Sequence, residues 1–204
     1  GAYMANILNV AKADQSQLQL NLVEASWEQH LVAIVKSLQN RANVRGKKLT
    51  LAVSNGLPTV AVDPVSIAEV ITNLVENSIK YSPPEATTIA IEAVVDTDGS
   101  VLTTVKDSGV GIPDSVVQNL FTRFYRNHRN KDQVAGTGLG LYVSKQIVNA
   151  HHGNIWIKSK EGQGTTVGFT LIPYTKLAEA EKNHDNGITV VPHGWIKNHN
   201  MQRR

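Results

Sequence analysis

The chain has 204 residues, 41% hydrophobic and 18% charged, enough apolar material for one generous domain with appendages. A net charge of +3 without a dense Lys/Arg run gives no argument for nucleic acid or for a membrane surface. The absence of cysteine excludes disulfides, thiolate chemistry and cysteine-ligated zinc and suits a cytoplasmic setting, and no apolar run approaches the roughly 18–20 residues of a membrane helix.

The opening Gly1-Ala2-Tyr3-Met4 lacks an initiator Met at position one and is read as a cut inside a longer chain. Met4, Ile7, Leu8 and Ala11 recur at helical spacing. A helix with one apolar stripe needs a partner, so residues 1–22 are expected to be the end of a helical bundle. A second helix is predicted from the N-cap Ser26 through Leu31, Ile34, Val35 and Leu38, ending near Gly46. Lys48 to Val53 and Thr59 to Val62 read as short strands around the turn Gly56-Leu57-Pro58.

Asp63-Pro64 is a strong helix start, with Asp as N-cap and Pro at the first helical position. Ile67, Val70, Ile71, Leu74, Val75, Ser78 and Ile79 mark one buried face, and Ser82-Pro83-Pro84 stops the helix. Thr87 to Val95 and Ser100 to Lys106 form a predicted strand pair joined by Asp98-Gly99. After two glycine-rich turns flanking a short helix and a polar loop, a long helix is predicted from about Leu139 to Ala150. Two closing strands, Asn154 to Ser159 and Thr165 to Ile172, follow. This mixture predicts an α/β fold, a two-layer sandwich of a mixed sheet covered on one face by helices. Residues 23–174 make that domain, and residues 175–204 are expected to be a flexible tail with a short strand at Ile188–Val191. His184, His193 and His199 in the tail match no zinc spacing and read as solvated histidines.

Three segments carry chemistry. At about 100° per residue, Asn73, Asn77 and Lys80 fall together at one edge of the apolar stripe. An amide oxygen there can bind Mg²⁺ and Lys80 can meet a phosphate; taken alone, the same edge also reads as an ordinary solvated one. Asp107-Ser108-Gly109-Val110-Gly111-Ile112-Pro113 follows an apolar strand. Its carboxylate can accept from an exocyclic amine while the glycines let backbone approach a flat base, although a plain strand-to-helix turn is equally consistent. Gly136-Thr137-Gly138-Leu139-Gly140-Leu141 opens the long helix, where backbone N–H groups and the positive helix end can face phosphate oxygens. It is neither a dinucleotide fingerprint nor a Walker loop. Between the turns, Phe121 and Phe124 precede a polar segment, which suggests an anchored hinge and a mobile cover over a pocket. Both rings are also suited to the core.

The order of these segments is more specific than any one of them. Asn-x-x-x-Asn-x-x-Lys-Tyr, Asp-x-Gly-x-Gly-Ile-Pro, Phe-x-x-Phe-Tyr-Arg, Gly-Thr-Gly-Leu-Gly-Leu and Gly-x-Gly-Thr together resemble the ATP-binding domain of sensor histidine kinases, over roughly Leu22 to Tyr174. In the terms of that family they are the N box, first glycine box, F box, second glycine box and a terminal glycine turn. The resemblance implies the Bergerat-type sandwich shared with type II topoisomerases and mismatch-repair ATPases, with ATP and Mg²⁺ as ligands. Residue by residue, it implies that Asn77 coordinates Mg²⁺ with Asn73 beside the triphosphate. It places Lys80 and Tyr81 on phosphate and nucleotide, Asp107 on the adenine amine, and Gly109, Gly111 and Ile112 around the base. Gly136, Thr137, Gly138, Leu139, Gly140 and Leu141 would wrap the phosphates, and Thr165 would close the pocket beneath the base. Tyr125 and Arg126 follow the aromatic pair, with Arg126 the candidate for stabilising charge on the transferred phosphoryl.

Hydrolases of this superfamily carry a Glu four residues before the magnesium-binding Asn. Here that position is Asn73, an amide with no useful basicity, and neither Glu69 nor Glu76 occupies it. Phosphoryl transfer to an external nucleophile is therefore expected, with Asn73 and Arg126 as the residues at the reacting end. The phosphoacceptor of such kinases opens a helical His-Glu or His-Asp motif, and none is read in the chain; His30 has no following acid. The resemblance thus implies three partners: a phosphoacceptor helical domain, a response regulator, and a second copy in a homodimeric parent, either cytoplasmic or membrane-anchored. An anti-sigma-type serine kinase and a degenerate nucleotide-binding docking module are the competing expectations.

Overall fold

The computed structural model describes residues 18–125 and 137–185. Strand β1 (Val23–Ala25) leads into helix α1 (Trp27–Val44), which begins where the Ser26 hydroxyl accepts from the Gln29 N–H at 3.5 Å. Trp27, Leu31, Ile34, Val35, Leu38 and Ala42 lie on one face, and all are buried. Trp27 is 1% exposed; its indole N–H donates to the Thr103 hydroxyl at 2.8 Å, and its ring meets Phe169 edge-on at 6.2 Å. An indole this deep needs such a partner, because an unpaired buried N–H costs about 1–3 kcal/mol.

Strands β2 (Lys48–Val53) and β3 (Val60–Val62) precede helix α2 (Pro64–Tyr81). The Asp63 carboxylate caps α2 by accepting from the Ser66 N–H at 2.9 Å, with Pro64 in the first turn. The helix stops because Ser82 is extended (φ −93°, ψ 126°), the conformation that a following proline favours. Ile67, Val70, Ile71, Leu74, Val75 and Ser78 form its buried face, as the periodicity predicts.

Strands β4 (Thr88–Val95) and β5 (Val101–Asp107), the one-turn helix α3 (Asp114–Val117), helix α4 (Gly140–Ala150), and strands β6 (Ile155–Lys160) and β7 (Gly164–Leu171) complete the domain. The five-stranded sheet has the order β2-β4-β5-β7-β6. Only β2 and β4 run parallel, as a connection through β3 and α2 allows; the other pairs are antiparallel. Helices α1, α2 and α4 cover the face carrying Ile89, Ile91, Val101, Val105, Phe169 and Leu171, so the expected two-layer α/β sandwich with one covered face is observed. Among the described residues no helix is long and apolar enough to cross a membrane.

Three details differ from the sequence reading. Strands β2 and β3 flank the Gly56 turn but do not pair with each other; β3 instead pairs antiparallel with β1, which the sequence reading did not anticipate. Three residues is too short a run for alternation to register, and its partner is distant in sequence. Second, the chain beyond Tyr174 does not turn directly into a flexible tail: helix α5 spans Tyr174–Asp185. Ala, Leu, Glu and Lys favour helix there. The Tyr174 N–H also donates to the Thr59 carbonyl at 2.9 Å, and the helix lies against β3 and β1. Third, a His-Asp pair does occur, His184-Asp185, but at the far end of α5 rather than ahead of the domain. The helix expected at Met4 to Ala11 and the strand expected at Ile188–Val191 fall outside the described residues.

Candidate functional site

The site is built where the C-terminal half of α2, the end of β5 and the start of α4 meet. Asp107 is the last residue of β5 and pairs in register with Thr165 at the start of β7. Only 7% of Asp107 is exposed. Its Oδ1 accepts from the backbone N–H of Gly109 at 2.9 Å and of Thr165 at 3.2 Å, and its Oδ2 accepts from the Ser78 hydroxyl at 2.9 Å. Burial pushes this carboxyl above its usual range, against the lowering effect of those hydrogen bonds. Lys106, Lys158 and Lys160 line an open cavity of about 290 Å³ that reaches Asp107 and Thr165 from the strand ends.

The first glycine turn is clamped from two sides. The Val110 N–H donates to the Tyr81 carbonyl at 3.3 Å, and the Ile112 N–H donates to Ser159 Oγ at 2.9 Å. Ser159 Oγ also donates to the Gly164 carbonyl and lies 2.8 Å from the Thr165 hydroxyl, joining the first glycine turn to the terminal one. Gly111 has φ +67°, and a Cβ there would sit 2.0 Å from the Lys160 carbonyl oxygen, so only glycine fits. Gly109 is buried between the Tyr81 carbonyl and the Asp107 carboxylate.

On α2, Asn73 and Asn77 are half-buried one turn apart. The Asn73 amide donates to Ser144 Oγ of α4 at 3.5 Å, which leaves its oxygen as an available acceptor. Gly140, the first residue of α4, approaches so closely that a Cβ would lie 3.7 Å from the Asn73 amide carbon. Asn77 has no side-chain hydrogen bond among the described residues. Lys80 and Tyr81 are exposed at the end of α2, with the ammonium 5.3 Å from the ring centroid.

Helix α4 starts without a side-chain cap: Leu139, the N-cap residue, is buried and offers no polar atom. Thr137 Oγ1 accepts from the Leu139 N–H at 3.3 Å, Gly138 turns with φ +72°, and Leu141 packs against the core. Among the described residues no side chain takes the N–H groups of the first turn of α4 that follow Leu139, an arrangement suited to an anion at a helix start. A buried carboxylate acceptor, two amide oxygens and an uncapped helix end form a donor set that fits an adenine nucleotide with Mg²⁺.

The aromatic pair divides. Phe121 packs on the core beneath Lys145 Nζ at 5.6 Å, whereas Phe124 is 66% exposed with φ +57° and does not enter the core. The backbone conformation turns its ring outward where the sequence reading allowed both rings to pack inward. Arg123 places its guanidinium 5.3 Å from the Tyr142 ring of α4, and Tyr125 is half-buried at the end of this segment. Arg126 and Gly136 lie outside the described residues. The structure therefore links Asp107, Gly109, Ile112 and Thr165 by hydrogen bonds that run through Ser159, holds Gly111 against the Lys160 carbonyl, and sets Asn73 of α2 beside Gly140 of α4. The sequence reading missed Ser78, Ser144 and Ser159 as site residues; for Ser78 a signal existed, a lone hydroxyl within an apolar stripe.

Comparison with known proteins agrees with this geometry. A family described as histidine kinase-, DNA gyrase B-, and HSP90-like ATPase matches residues 62–175. The chain is 36% identical over 171 residues to the adaptive-response sensory kinase SasA of Synechococcus elongatus, covering 84% of this chain and 44% of that protein. It is 35% identical over 180 residues to the sensor histidine kinase WalK of Bacillus subtilis, covering 85% and 28%. The chain thus spans less than half the length of these relatives. Among solved structures, full-length ShkA in complex with AMPPNP superposes with a TM-score of 0.72 at 25% identity, covering 81% of this chain and 34% of that one. The catalytic domain of histidine kinase ThkA, with a TM-score of 0.64 at 24% identity over 74% of this chain and 95% of that one, shares the fold. With the fold, the cleft and a family match over more than half its length in agreement, this chain belongs to the histidine kinase-, DNA gyrase B- and HSP90-like ATPases.

Proposed function

We propose that this chain is the ATP-binding catalytic domain of a two-component sensor histidine kinase. In this reading it passes the ATP γ-phosphoryl to a histidine on a separate helical domain, for relay to an Asp of a response regulator in the cytoplasm. The carrying observation is that α2, which bears the Asn73 and Asn77 amides, bonds to the Asp107 carboxylate through Ser78 and to helix α4, whose N-cap residue makes no side-chain cap, through Asn73. The likeness to SasA and WalK supports the kinase assignment, and the AMPPNP bound to ShkA supports a nucleoside triphosphate as ligand.

Each residue has a role in this reading. Asp107 accepts the exocyclic amine of adenine, with Thr165, Gly109, Gly111 and Ile112 shaping the floor and wall of the base pocket. Gly136, Thr137, Gly138, Leu139, Gly140 and Leu141 wrap the phosphates at the positive end of α4. Lys80 and Tyr81 contact phosphate and nucleotide, Tyr125 contacts the nucleotide, and Arg126 stabilises charge on the transferred γ-phosphoryl. Asn77 would supply the oxygen that holds Mg²⁺, with Asn73 beside the triphosphate, and the metal when bound would neutralise charge on the phosphates. Asn73 provides no general base for water, so the domain orients ATP for an external imidazole. The parent protein is read as a homodimer.

Calorimetric titration with AMPPNP, with and without Mg²⁺, tests this reading. Binding that requires Mg²⁺ and is lost in Asn77→Ala is expected. Incubating the chain with Mg-ATP should leave no acid-labile phosphohistidine, whereas addition of a phosphoacceptor helical domain from the parent should produce it. Rapid turnover of ATP to ADP by the chain alone, or phosphoserine on an added substrate, would overturn the assignment.

A further inference from the structure

Among the described residues Asp107 is the carboxylate that lines the cavity at the strand ends, and its lone pairs are almost fully committed. An ionised carboxylate has about four acceptor sites on its two oxygens. Oδ1 receives two backbone N–H groups, from Gly109 and from Thr165, and Oδ2 receives the Ser78 hydroxyl. One acceptor site remains, on Oδ2. The backbone around it is closely packed: Gly164 has φ +89°, and a Cβ there would fall 2.2 Å from the Asp107 carbonyl oxygen. Among the described residues Ser78 is the one side chain bonded to Asp107, and together with the two N–H groups on Oδ1 it fixes the carboxylate and the direction of its last acceptor site. It sits on the buried face of α2, one residue after Asn77, and is 5% exposed.

We propose that Ser78 is a specificity-determining positioning residue, which holds Asp107 so that its one remaining acceptor site selects a purine bearing a 6-amino group over a purine without one. This inference rests on the reading of Asp107 as the adenine acceptor. The hydroxyl donates to Oδ2, so Asp107 can only accept at that oxygen. A 6-amino group supplies the matching donor, whereas a 6-oxo group would face a carboxylate lone pair and a 6-hydrogen would leave it unpaired. A site built around a buried hydrogen bond rejects the ligand that lacks it far better than an apolar pocket does. Removing the Ser78 hydroxyl leaves Oδ2 held only through the bonds to Oδ1 and lets it turn towards other donors, so the gain specific to the 6-amino group shrinks.

The test compares affinities for Mg-ATP and for the Mg complex of purine riboside triphosphate, which lacks only the 6-amino group. The full chain is used as wild type, Ser78→Ala and Ser78→Thr, with thermal unfolding recorded for each. Wild type is expected to prefer ATP by about tenfold or more. Ser78→Ala should lose most of that preference through weaker ATP binding, with purine riboside triphosphate unaffected. Ser78→Thr, which keeps the hydroxyl, should retain it. Equal weakening of both nucleotides in Ser78→Ala, or an unchanged ratio, overturns the specificity role. A wild-type protein that does not distinguish the two nucleotides overturns the adenine reading of Asp107 itself, and the inference with it.

Discussion

The His151 imidazole, fully buried at the end of α4, accepts a hydrogen bond at Nε2 from the backbone N–H of Asp63, the residue that caps α2, at 2.9 Å. Its Nδ1 lies 2.8 Å from the Ile147 carbonyl, which fixes the tautomer: Nδ1 carries the proton and Nε2 is the acceptor. The end of one site helix is thereby tied to the start of the other. Both helices then carry their residues to the cleft from a common anchor, Asn73 and Asn77 on α2 and Gly140 on α4.

That anchor makes stability depend on pH. Burial, the largest influence, holds the His151 imidazole below its ordinary value of 6.5, outweighing the neighbouring Asp63 carboxylate. His152 is lowered by burial too. The unfolded chain therefore takes up protons below 6.5 that the folded chain refuses, so stability is complete above that pH and declines as pH falls through it. Thermal unfolding followed from pH 7.5 to 5.5 should show a falling midpoint, and His151→Gln should flatten the slope while lowering the midpoint at neutral pH. A wild-type midpoint constant over this range would contradict the prediction.

The Asp63 cap has a separate signature. Burial raises its carboxyl, but hydrogen bonds from Ser66 and Asn21 and the nearby His151 outweigh that, leaving it below 3.8. Its contribution is present above 3.8 and is lost only as pH falls below that value, outside the histidine window. Asp63→Ala should destabilise the fold by about 1 kcal/mol, and Asp63→Asn by less, in urea unfolding at neutral pH.

Asp107 governs the base rather than the fold. Asp107→Asn, which replaces a charged acceptor by an amide, should weaken AMPPNP by about 1.5–3 kcal/mol in titration, the range for a hydrogen bond to a charged group. Because burial raises this carboxyl, nucleotide affinity should begin to fall at a pH higher than an exposed aspartate would give. The groups facing it are the Ser78 hydroxyl, the Gly109 and Thr165 N–H groups, and Lys106, Lys158 and Lys160 along the adjoining cavity. An affinity unaffected by Asp107→Asn would remove the carboxylate from the base pocket.

Gly111→Ala tests the first glycine turn. The substitution forces a positive φ on a residue with a side chain, about 1–2 kcal/mol, before its Cβ meets the Lys160 carbonyl. A lower unfolding midpoint together with weakened nucleotide binding is expected, since the Ile112 N–H would be displaced from Ser159. Retained binding with lower stability would separate the turn from the site.

Much of this protein was legible in its residue order. Asp63-Pro64 and Ser82-Pro83-Pro84 bracket α2 by local chemistry, and a period of about 3.6 residues shows which face it buries. Asn73, Asn77, Asp107 and the glycine turns were equally visible, because their spacing reflects short-range geometry: one helical turn, one strand end, one helix start. What the residue order did not show is contact between segments far apart in the chain. The β1–β3 pair joins residues about forty positions apart, the Asp63–His151 bond joins residues 88 positions apart, and neither leaves a local pattern. Ser78 read as one more position of a buried stripe, and Ser159 as part of a strand. Only the packing of α2 against β5, and the register of β6 with β7, brought a hydroxyl to the Asp107 carboxylate and another to the glycine turn. Side-chain periodicity reports which residues are buried, while tertiary packing decides what each buried polar group must face.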